Sequence, residues 1–223
     1  MERVQTDRNS FIVAEVDLET ENVRVLLRGS DGETIGTFTR LRKQLGTDVD
    51  RLAFAMNAGM FHASREPVGL LVSDGKELNG IETGEGKGNF YLKPNGVFFI
   101  SNGVPRVRTT EEFAKLKGRA ISQATQSGPI LVRSGKVYSA FNETSKSRHI
   151  RNGIGVQADG TVCMVISENP VTFWELASLF RDRLQCPDAL YLDGAISSVI
   201  APALGVEIER TRMGPVFIVL KKN

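Results

Sequence analysis

Histidine and cysteine are scarce in this chain of 223 residues, which has two of each. The two histidines, His62 and His149, argue against a zinc site built from several imidazoles, because zinc takes most of its ligands from histidine and cysteine. The two cysteines, Cys163 and Cys186, are too few for a disulfide framework. We expect both to behave as small buried apolar side chains, and the sequence leaves open whether they form a single bridge.

Long apolar runs and excess charge are also missing. No run approaches the ~20 apolar residues of a membrane-spanning helix, and residues 1–7 lack the apolar stretch of a signal peptide. The 28 Lys and Arg against 26 Asp and Glu leave a net charge of +2, without the basic face that a nucleic-acid binder normally shows. We therefore expect a soluble protein with neither nucleic acid nor membrane as partner. The oligomeric state stays open.

Glycine, by contrast, is abundant, at 22 of 223 positions against the usual ~7%. The pairs Asp74-Gly75, Asn95-Gly96 and Asn102-Gly103 favour hairpin turns, because both residue types tolerate positive φ. Connections of two to five residues are too short for parallel crossovers, so the sheet should be largely antiparallel or mixed. Short apolar runs typical of strands lie between the turns, at residues 11–16, 23–27, 68–72, 97–100, 130–132, 162–166 and 216–220.

Three segments have the pattern of helices. Apolar spacing predicts a helix over residues 38–45. Thr-x-x-Glu opens two more helices, over residues 109–116 and 172–184, because its Thr and Glu side chains can both cap the first turn. Many short strands with a few flanking helices indicate the α+β class, in a single domain covering residues 1–223.

Two familiar catalytic motifs are absent. The glycine-rich residues 80–88 lack the glycine and the Ser or Thr that a phosphate loop needs around its lysine. We interpret them as a flexible loop, with a mobile loop at a site entrance as the alternative. Gln126-Ser127-Gly128-Pro129 lacks the Gly-x-Ser-x-Gly elbow of a serine hydrolase.

Polar side chains follow several apolar runs directly. Asn57, Glu168 and Asp193 each stand where such a run ends. A carboxylate at the tip of a buried strand costs desolvation energy unless it is paired or used. Asp193-Gly194 is either an ordinary turn or a functional carboxylate, and the small apolar residues after it set it apart from a plain hairpin.

A basic segment precedes one predicted strand. Arg148, His149 and Arg151 lie within four residues, just before Asn152-Gly153-Ile154-Gly155. Arginine offers a planar fork that matches phosphate or carboxylate, and glycine beside it would let the backbone approach an anion. The alternative is a solvated basic loop.

Taken together, five blocks of the sequence resemble the phosphodiester glycosidase family, which includes the lysosomal uncovering enzyme. The ordered set carries the resemblance, since no single block is specific. The blocks are Asn57-Ala58-Gly59-Met60-Phe61, Gly88-Asn89-Phe90-Tyr91, Gln126-Ser127-Gly128-Pro129, Arg148-His149-Ile150-Arg151-Asn152-Gly153-Ile154-Gly155 and Leu192-Asp193-Gly194.

The chain departs from the family pattern at three places. Many members read Asn-Gly-Gly where this chain has Asn57-Ala58-Gly59, and Asp-Gly-Gly-Gly-Ser where it has Asp193-Gly194-Ala195-Ile196-Ser197. Members often read Arg-Thr-Ala-Ile-Gly against Arg151-Asn152-Gly153-Ile154-Gly155. The resemblance therefore implies a bacterial branch of the family, and the sugar specificity of the lysosomal enzyme does not carry over.

The resemblance implies a hydrolase that cleaves the sugar C1–O bond of a glycosyl phosphodiester and releases a sugar and a phosphomonoester. Arg148 and Arg151 would bind the phosphate. Asp193, with Glu168 as second carboxylate, would act at the anomeric carbon, which develops oxocarbenium character. His149 would protonate or hydrogen-bond the departing phosphate. Further residues of these blocks would hold sugar hydroxyls or orient the carboxylates: Asn57, Asn89, Gln126, Ser127, Asn152 and Gly194.

Several alternatives remain at this stage. The same pocket would serve a non-catalytic module that binds glycans or cell wall, or a phosphodiesterase that cleaves P–O. No cofactor is required, but calcium stays open, since it prefers oxygen ligands and Asp193, Glu168, Asn57 and Asn89 would supply them. The resemblance favours a periplasmic or extracellular location.

Overall fold

The computed structural model describes residues 1–116, 118 and 120–222. Short strands dominate the described chain, as the turn-rich sequence predicts. In chain order they are β1 Glu2–Gln5, β2 Ser10–Val16, β3 Glu21–Leu26, β4 Leu52–Asn57, β5 Leu71–Ser73, β6 Lys76–Asn79, β7 Gly96–Ser101, β8 Val104–Thr109, β9 Ile121–Ser127, β10 Ile130–Arg133, β11 Lys136–Val137, β12 Asn152–Val156, β13 Val162–Ser167, β14 Asp188–Tyr191, β15 Val199–Ala201, β16 Val206–Ile208 and β17 Val216–Lys221.

The helices lie where the sequence predicts them. They are α1 Phe38–Leu45, α2 Thr110–Ala114 and α3 Phe173–Ser178, the last continued by a π-helical turn at Leu179–Arg183. Thr109 and Thr172 form the expected capping boxes with Glu112 and Glu175. Short 3-10 segments cover Gly46–Arg51, Asn89–Tyr91, Gly194–Ile196 and Pro202–Leu204. None of the helices in the described residues is long and apolar enough to cross a membrane.

The strands form three antiparallel sheets, which confirms the α+β prediction. A seven-stranded sheet has the order β1-β2-β13-β12-β14-β10-β11, and two five-stranded sheets have the orders β16-β15-β4-β17-β3 and β6-β5-β9-β7-β8. The largest apolar cluster draws side chains from all three sheets, among them Met164, Phe217 and Phe98. The apolar face of a sheet must be buried against another layer. In this fold the three sheets bury their apolar faces against one another in this cluster.

Two of the predicted hairpin turns are confirmed and one is wrong. Asp74-Gly75 joins β5 to β6 and Asn102-Gly103 joins β7 to β8, all four residues having positive φ. Asn95-Gly96 instead leads into β7, with Asn95 buried and its Nδ2 donating to Phe90 O at 3.0 Å. Gly96 serves close packing, because a Cβ there would lie 2.6 Å from Arg108 O.

Strand β9 was not predicted, because its sequence is polar. It lies at the centre of the third sheet, between β5 and β7. Gln123 and Gln126 are buried in it with their amides hydrogen-bonded, for example by Val25 N to Gln123 Oε1 at 3.0 Å. Buried amides are tolerated when their hydrogen bonds are made, so the apolar pattern of a central strand is missing here.

A second apolar cluster holds α3 against the outer face of the seven-stranded sheet and includes Phe180, Cys163 and Cys186. Both cysteines are free and buried, in line with the expectation of small apolar side chains. The neighbouring Cys163 thiol and burial raise the pKa of Cys186. Glycines in β12 make room for this helix: a Cβ on Gly155 would lie 2.8 Å from Phe180 Cδ1 and 3.0 Å from Cys186 Sγ. These glycines set how closely α3 approaches the sheet, and an approach of their backbone to an anion stays a prediction.

Replacing Gly155 by alanine should destabilise the fold. The added methyl group meets a ring and a sulfur that are both buried, so we expect a loss of about 1–3 kcal/mol, as for other overpacked cores. Urea unfolding monitored by circular dichroism measures the change in the free energy of unfolding. Gly80→Ala is the matched control, because the nearest atom to a Cβ there is Glu77 Oε1 at 3.8 Å. Equal midpoints for the two variants would contradict the packing argument.

Candidate functional site

The site lies where strands of two sheets end next to each other. In the seven-stranded sheet, β12 begins at Asn152 beside the end of β14, with Gly153 paired to Tyr191. Leu192 N then donates to Asn152 O at 3.1 Å, which brings Asp193 to the same edge. From the neighbouring sheet, β4 ends at Asn57.

The amide of Asn57 joins these ends. It is fully buried, and its Nδ2 donates to Asp193 O at 2.7 Å while its Oδ1 accepts from Ser198 N at 2.9 Å. Asn152 Nδ2 donates in turn to Asn57 O at 3.0 Å. We call Asn57 and Asn152 the asparagine clamp. Asn57 thus fixes the backbone that carries Asp193, using one donor and one acceptor of its amide.

Asp193 occupies a tight turn. It is half-buried with φ −105° and ψ 88°, and it precedes the 3-10 segment Gly194–Ile196. Gly194 N donates to Tyr191 Oη at 3.0 Å. A Cβ on Gly194 would lie 2.5 Å from Tyr191 Oη and 2.9 Å from Arg151 Cα, so only glycine lets the turn sit against the backbone of Arg151, just before β12. The role of Gly194 in this arrangement is packing.

Arg151 is a buried cation without an anion. It is 2% exposed, and its guanidinium donates to two backbone carbonyls, Val171 O at 2.9 Å and Ser147 O at 3.3 Å. Within the described chain no carboxylate pairs with it. Burial lowers the pKa of Arg151, but an arginine stays charged near neutral pH. An unpaired buried charge is costly, so this guanidinium is suited to receive an anion.

Aromatic rings hold that guanidinium in place. Its Cζ lies 3.7 Å from the centroid of Phe173 and 5.6 Å from that of Tyr191. Phe141 stacks on Phe173 with centroids 5.0 Å apart and planes at 11°. Since the cation occupies one face of Phe173, Phe141 covers the other. Cation–π contacts stabilise by roughly 2 kcal/mol or more when desolvated, which offsets part of the cost of burying Arg151.

Tyr191 lies close enough to Arg151 and Asp193 for both charges to shift the pKa of its hydroxyl. Burial raises the pKa of its hydroxyl, the nearby negative charge of Asp193 raises it further, and Arg151 partly opposes both. The hydroxyl therefore remains protonated near neutral pH. It accepts from Gly194 N and retains its own proton for donation.

Two of the buried polar atoms that have no hydrogen-bond partner in the described part of the chain belong to residues predicted for the site. These are Ser127 Oγ, where β9 ends, and Asn152 Oδ1 in the asparagine clamp. The backbone after Asn57 runs close to β9, because a Cβ on Gly59 would lie 2.6 Å from Gln126 O. Buried polar groups are rarely left without hydrogen bonds, and each costs roughly 1–3 kcal/mol. A ligand or ordered water would complete them.

Two other predicted binding residues lie differently. The amide of Gln126 is fully used: Oε1 accepts from Leu70 N and Glu82 N, and Nε2 donates to Glu82 O and Thr110 Oγ1. It therefore anchors the glycine-rich loop and has no capacity left for a sugar. Asn89 is exposed in its 3-10 segment, with its carbonyl near Gly128.

The second predicted carboxylate, Glu168, is bound by residues of β1 and β2. Glu168 accepts from Ser10 Oγ at 2.5 Å and from Arg3 Nε at 3.1 Å, both on the side of β13 away from β12. Strands β13 and β14 flank β12, which separates the backbones of Glu168 and Asp193 by roughly two strand spacings, about 9.5 Å. The pairing of Glu168 with Asp193 as two catalytic carboxylates stays a prediction.

The three basic side chains of residues 148–151 also lie in different environments. Arg148 is exposed and donates to Glu175 Oε1 and Asn9 Oδ1, both at 2.9 Å. His149 is exposed, and its backbone forms a bridge with Val171. Arg151, the third member of the segment, is the one whose side chain is buried in the site.

Two of the residues that would supply oxygen ligands to calcium, Asn57 and Glu168, have partners in the protein. The Asn57 oxygen accepts from Ser198, and Glu168 is bound by Ser10 and Arg3. Across residues 1–116, 118 and 120–222, no group of three or more His, Cys, Asp or Glu side chains lies together.

The sequence did not identify Tyr191 or Phe173 as part of the site. Tyr191 reads as an ordinary strand residue, although its place two positions before Asp193 puts it on the same side of the chain. Phe173 belongs to the apolar stripe of α3, and a stripe does not show which member meets a cation.

Comparison with known proteins identifies the family and the fold. The family model described as phosphodiester glycosidase matches residues 50–211. An uncharacterised protein of Escherichia coli strain K12, YigE, is 30% identical over 182 residues, covering 82% of this chain and 70% of that protein.

Solved structures share the fold. The catalytic domain of zebrafish N-acetylglucosamine-1-phosphodiester alpha-N-acetylglucosaminidase, auto-inhibited by its pro-peptide, superposes with a TM-score of 0.67 at 16% identity, covering 100% of this chain and 81% of that one. A hypothetical protein from Synechocystis gives 0.58 at 15% identity, with 99% of this chain and 61% of that one covered. The family match spans well over half of the residues and includes Asn57, Arg151 and Asp193, and on that ground this chain belongs to the phosphodiester glycosidase family.

Proposed function

We propose that this chain is a hydrolase that cleaves the C1–O bond of a glycosyl phosphodiester, releasing a sugar and a phosphomonoester. The observation that carries the proposal is the buried guanidinium of Arg151, which lacks a carboxylate partner in the described chain and lies beside the turn that holds Asp193. A phosphodiester brings one negative charge, which matches the unpaired cation.

Asp193 is the group we assign to the anomeric carbon. As the C1–O bond breaks, that carbon gains positive charge, which a carboxylate stabilises or captures. The asparagine clamp fixes the backbone of Asp193, and such positioning lowers the entropic cost of reaching the transition state.

The phosphomonoester leaving group explains why the proposed reaction does not need a second carboxylate beside Asp193. A phosphomonoester leaves as a stable anion, so it needs less help from a general acid than an alcohol does. Arg151 neutralises the charge that develops on the phosphate oxygens, and the protonated Tyr191 hydroxyl is available to the same oxygens. Arg148, His149 and Glu168 remain predicted contributors whose contacts do not require a chemical role. The unpartnered Ser127 Oγ and Asn152 Oδ1 are suited to sugar hydroxyls.

We further propose that residues 1–223 form one domain. The family match covers residues 50–211, but β13 and β4 lie inside it and pair with β2 and β17 outside it. The terminal strands complete sheets that the matched segment would leave with open edges.

Hydrolysis in oxygen-labelled water tests the reaction. The name of the zebrafish enzyme specifies an N-acetylglucosamine-1-phosphodiester, so the methyl diester of N-acetylglucosamine 1-phosphate is a suitable first substrate. We expect mass spectrometry to find the label in the sugar. Label in the phosphate would mean P–O cleavage, and saturable binding with no turnover across a panel of sugars would mean a glycan-binding module.

Replacing Asp193 by asparagine should remove most of the activity. We expect kcat to fall by about 10²–10⁴-fold, the range for loss of a positioned catalytic group, while the melting temperature changes little. Glu168→Gln is the matched comparison, and we expect kcat to stay within severalfold because that carboxylate contacts Arg3 and Ser10. Equal losses in the two variants would make Glu168 a second catalytic carboxylate, and full activity of Asp193→Asn would disprove our assignment.

Replacing Arg151 by methionine should separate activity from stability. Loss of a charge-assisted phosphate contact should lower kcat/KM by about 100-fold, from roughly 3 kcal/mol. The free energy of unfolding should fall little or even rise, because an apolar side chain of similar size avoids the cost of a buried charge. Arg148→Met removes an exposed, carboxylate-paired arginine and should affect kcat/KM much less. A larger effect from Arg148→Met would assign the phosphate to that residue instead.

A further inference from the structure

A second place suited to anions is lined partly by the loop that follows Asn57. It is a groove of about 500 Å³ beside the start of α1. We call it the arginine groove. Its charged lining residues are Arg28, Arg40, Arg65, Arg212, Glu33 and Glu66.

The arginine groove keeps unneutralised positive charge. Arg28 pairs with Glu66, and Arg40 pairs with Asp31 at 2.5 Å. Arg65 and Arg212 have no ion-pair partner within the described chain. The exposed Glu33 also lacks one, which leaves a net charge of about +1 by simple Coulombic counting. The groove therefore favours a small anion.

A donor in the lining is also unused. Nε of Arg40 is buried without an acceptor in the described residues, although its Nη2 binds Asp31. Buried donors are normally satisfied. A phosphate oxygen would supply the missing acceptor.

Arg65 is held in a strained backbone conformation. Its φ is 69°, a region that costs a residue with a side chain roughly 1–2 kcal/mol. Hydrogen bonds from Arg65 N to His62 O at 2.7 Å and from His62 N to Glu66 O at 2.8 Å impose this turn. Glycine or asparagine would fit the turn with less strain, so an arginine at this position lowers the stability of the fold.

The backbone connects the groove to the site. Arg65 belongs to the loop that leaves β4 at Asn57, and Ala58 N donates to Pro215 O at 2.8 Å. Arg212 precedes Pro215 by three residues, so its Cα lies within roughly 11 Å of that contact. A short run of sugar-phosphate repeats would span this distance from the asparagine clamp.

We propose that the arginine groove binds a second phosphodiester of the same substrate, so that the substrate is a polymer of sugar-1-phosphodiester repeats. This inference rests on the proposed function. In it, Arg151 holds the phosphate at the bond to be cleaved, while Arg65 and Arg212 hold the phosphate of a neighbouring repeat. Affinity for the polymer exceeds that for a single diester because both anions are bound by one chain.

Kinetics on two matched substrates test this proposal. The substrates are a polymer of N-acetylglucosamine 1-phosphate repeats and the methyl diester of the same unit, with released sugar measured by chromatography. In the variant Arg65→Ala/Arg212→Ala we expect KM for the polymer to rise at least tenfold, with kcat/KM for the methyl diester within twofold of the wild type. Added salt should reduce the polymer preference of the wild type.

A matched control removes the same charge elsewhere. Arg8 and Arg183 are exposed and without ion-pair partners in the described chain, and they lie in another groove, beside Trp174. Arg8→Ala/Arg183→Ala should leave KM for the polymer unchanged. An equal rise in both double variants, or no rise in the first, would overturn the proposal.

Equilibrium binding distinguishes failure of this inference from failure of the proposed function. Fluorescently labelled polymer should bind the wild type at least tenfold more tightly than Arg65→Ala/Arg212→Ala even if neither substrate is hydrolysed. Absence of that difference overturns the inference alone. Single-stranded DNA that competes as strongly as the polymer would also overturn it, by showing a general polyanion surface.

Discussion

The positive charge buried at Arg151 is the constraint on which the site depends. Two carbonyl oxygens and the face of Phe173 surround the guanidinium, and these partners orient it without neutralising it. A carboxylate in the same place would stabilise the empty protein more but would compete with any anionic substrate. The fold therefore carries an electrostatic cost that substrate phosphate would relieve, as expected of a binding site organised in advance.

The packing around Arg151 explains why glycines occur in β12 and why a capping box begins α3. Gly153 and Gly155 bring α3 close to the sheet, and this closeness places Phe173 over Arg151. The capping box at Thr172 fixes where α3 begins. Glu175 of that box also binds Arg148, so the exposed arginine secures the helix whose first residue covers the buried one.

Amide side chains, rather than carboxylates, hold the strand ends together. Asn57 offers both a donor and an acceptor, and it uses them on Asp193 and Ser198. A carboxylate at this buried position could only accept, and its charge would repel that of Asp193. Gln126 plays the equivalent part for the glycine-rich loop. Neutral amides thus build the framework, and Arg151 and Asp193 are the charged groups that we propose meet the substrate.

Much of the secondary structure could be predicted from the sequence, because it depends on interactions between residues close together in the chain. Apolar runs, Asp-Gly and Asn-Gly pairs and Thr-x-x-Glu motifs depend on interactions between near neighbours, and they predicted β2, β13, β17, all three helices and the α+β class. Strand β9 was not predicted, because several of its buried residues are polar. The turn predicted at Asn95-Gly96 was wrong, because Gly96 allows close packing against Arg108 on the neighbouring strand.

The sequence by itself also determined the polar blocks from which the site is drawn, including Asn57, Arg151 and Asp193. Only the tertiary structure decided how they divide. Whether an arginine is paired, as Arg148 is by Glu175, or buried alone, as Arg151 is, depends on residues 20 or more positions away. Exposure and charge compensation are set by the packing of distant segments, and no local pattern encodes them.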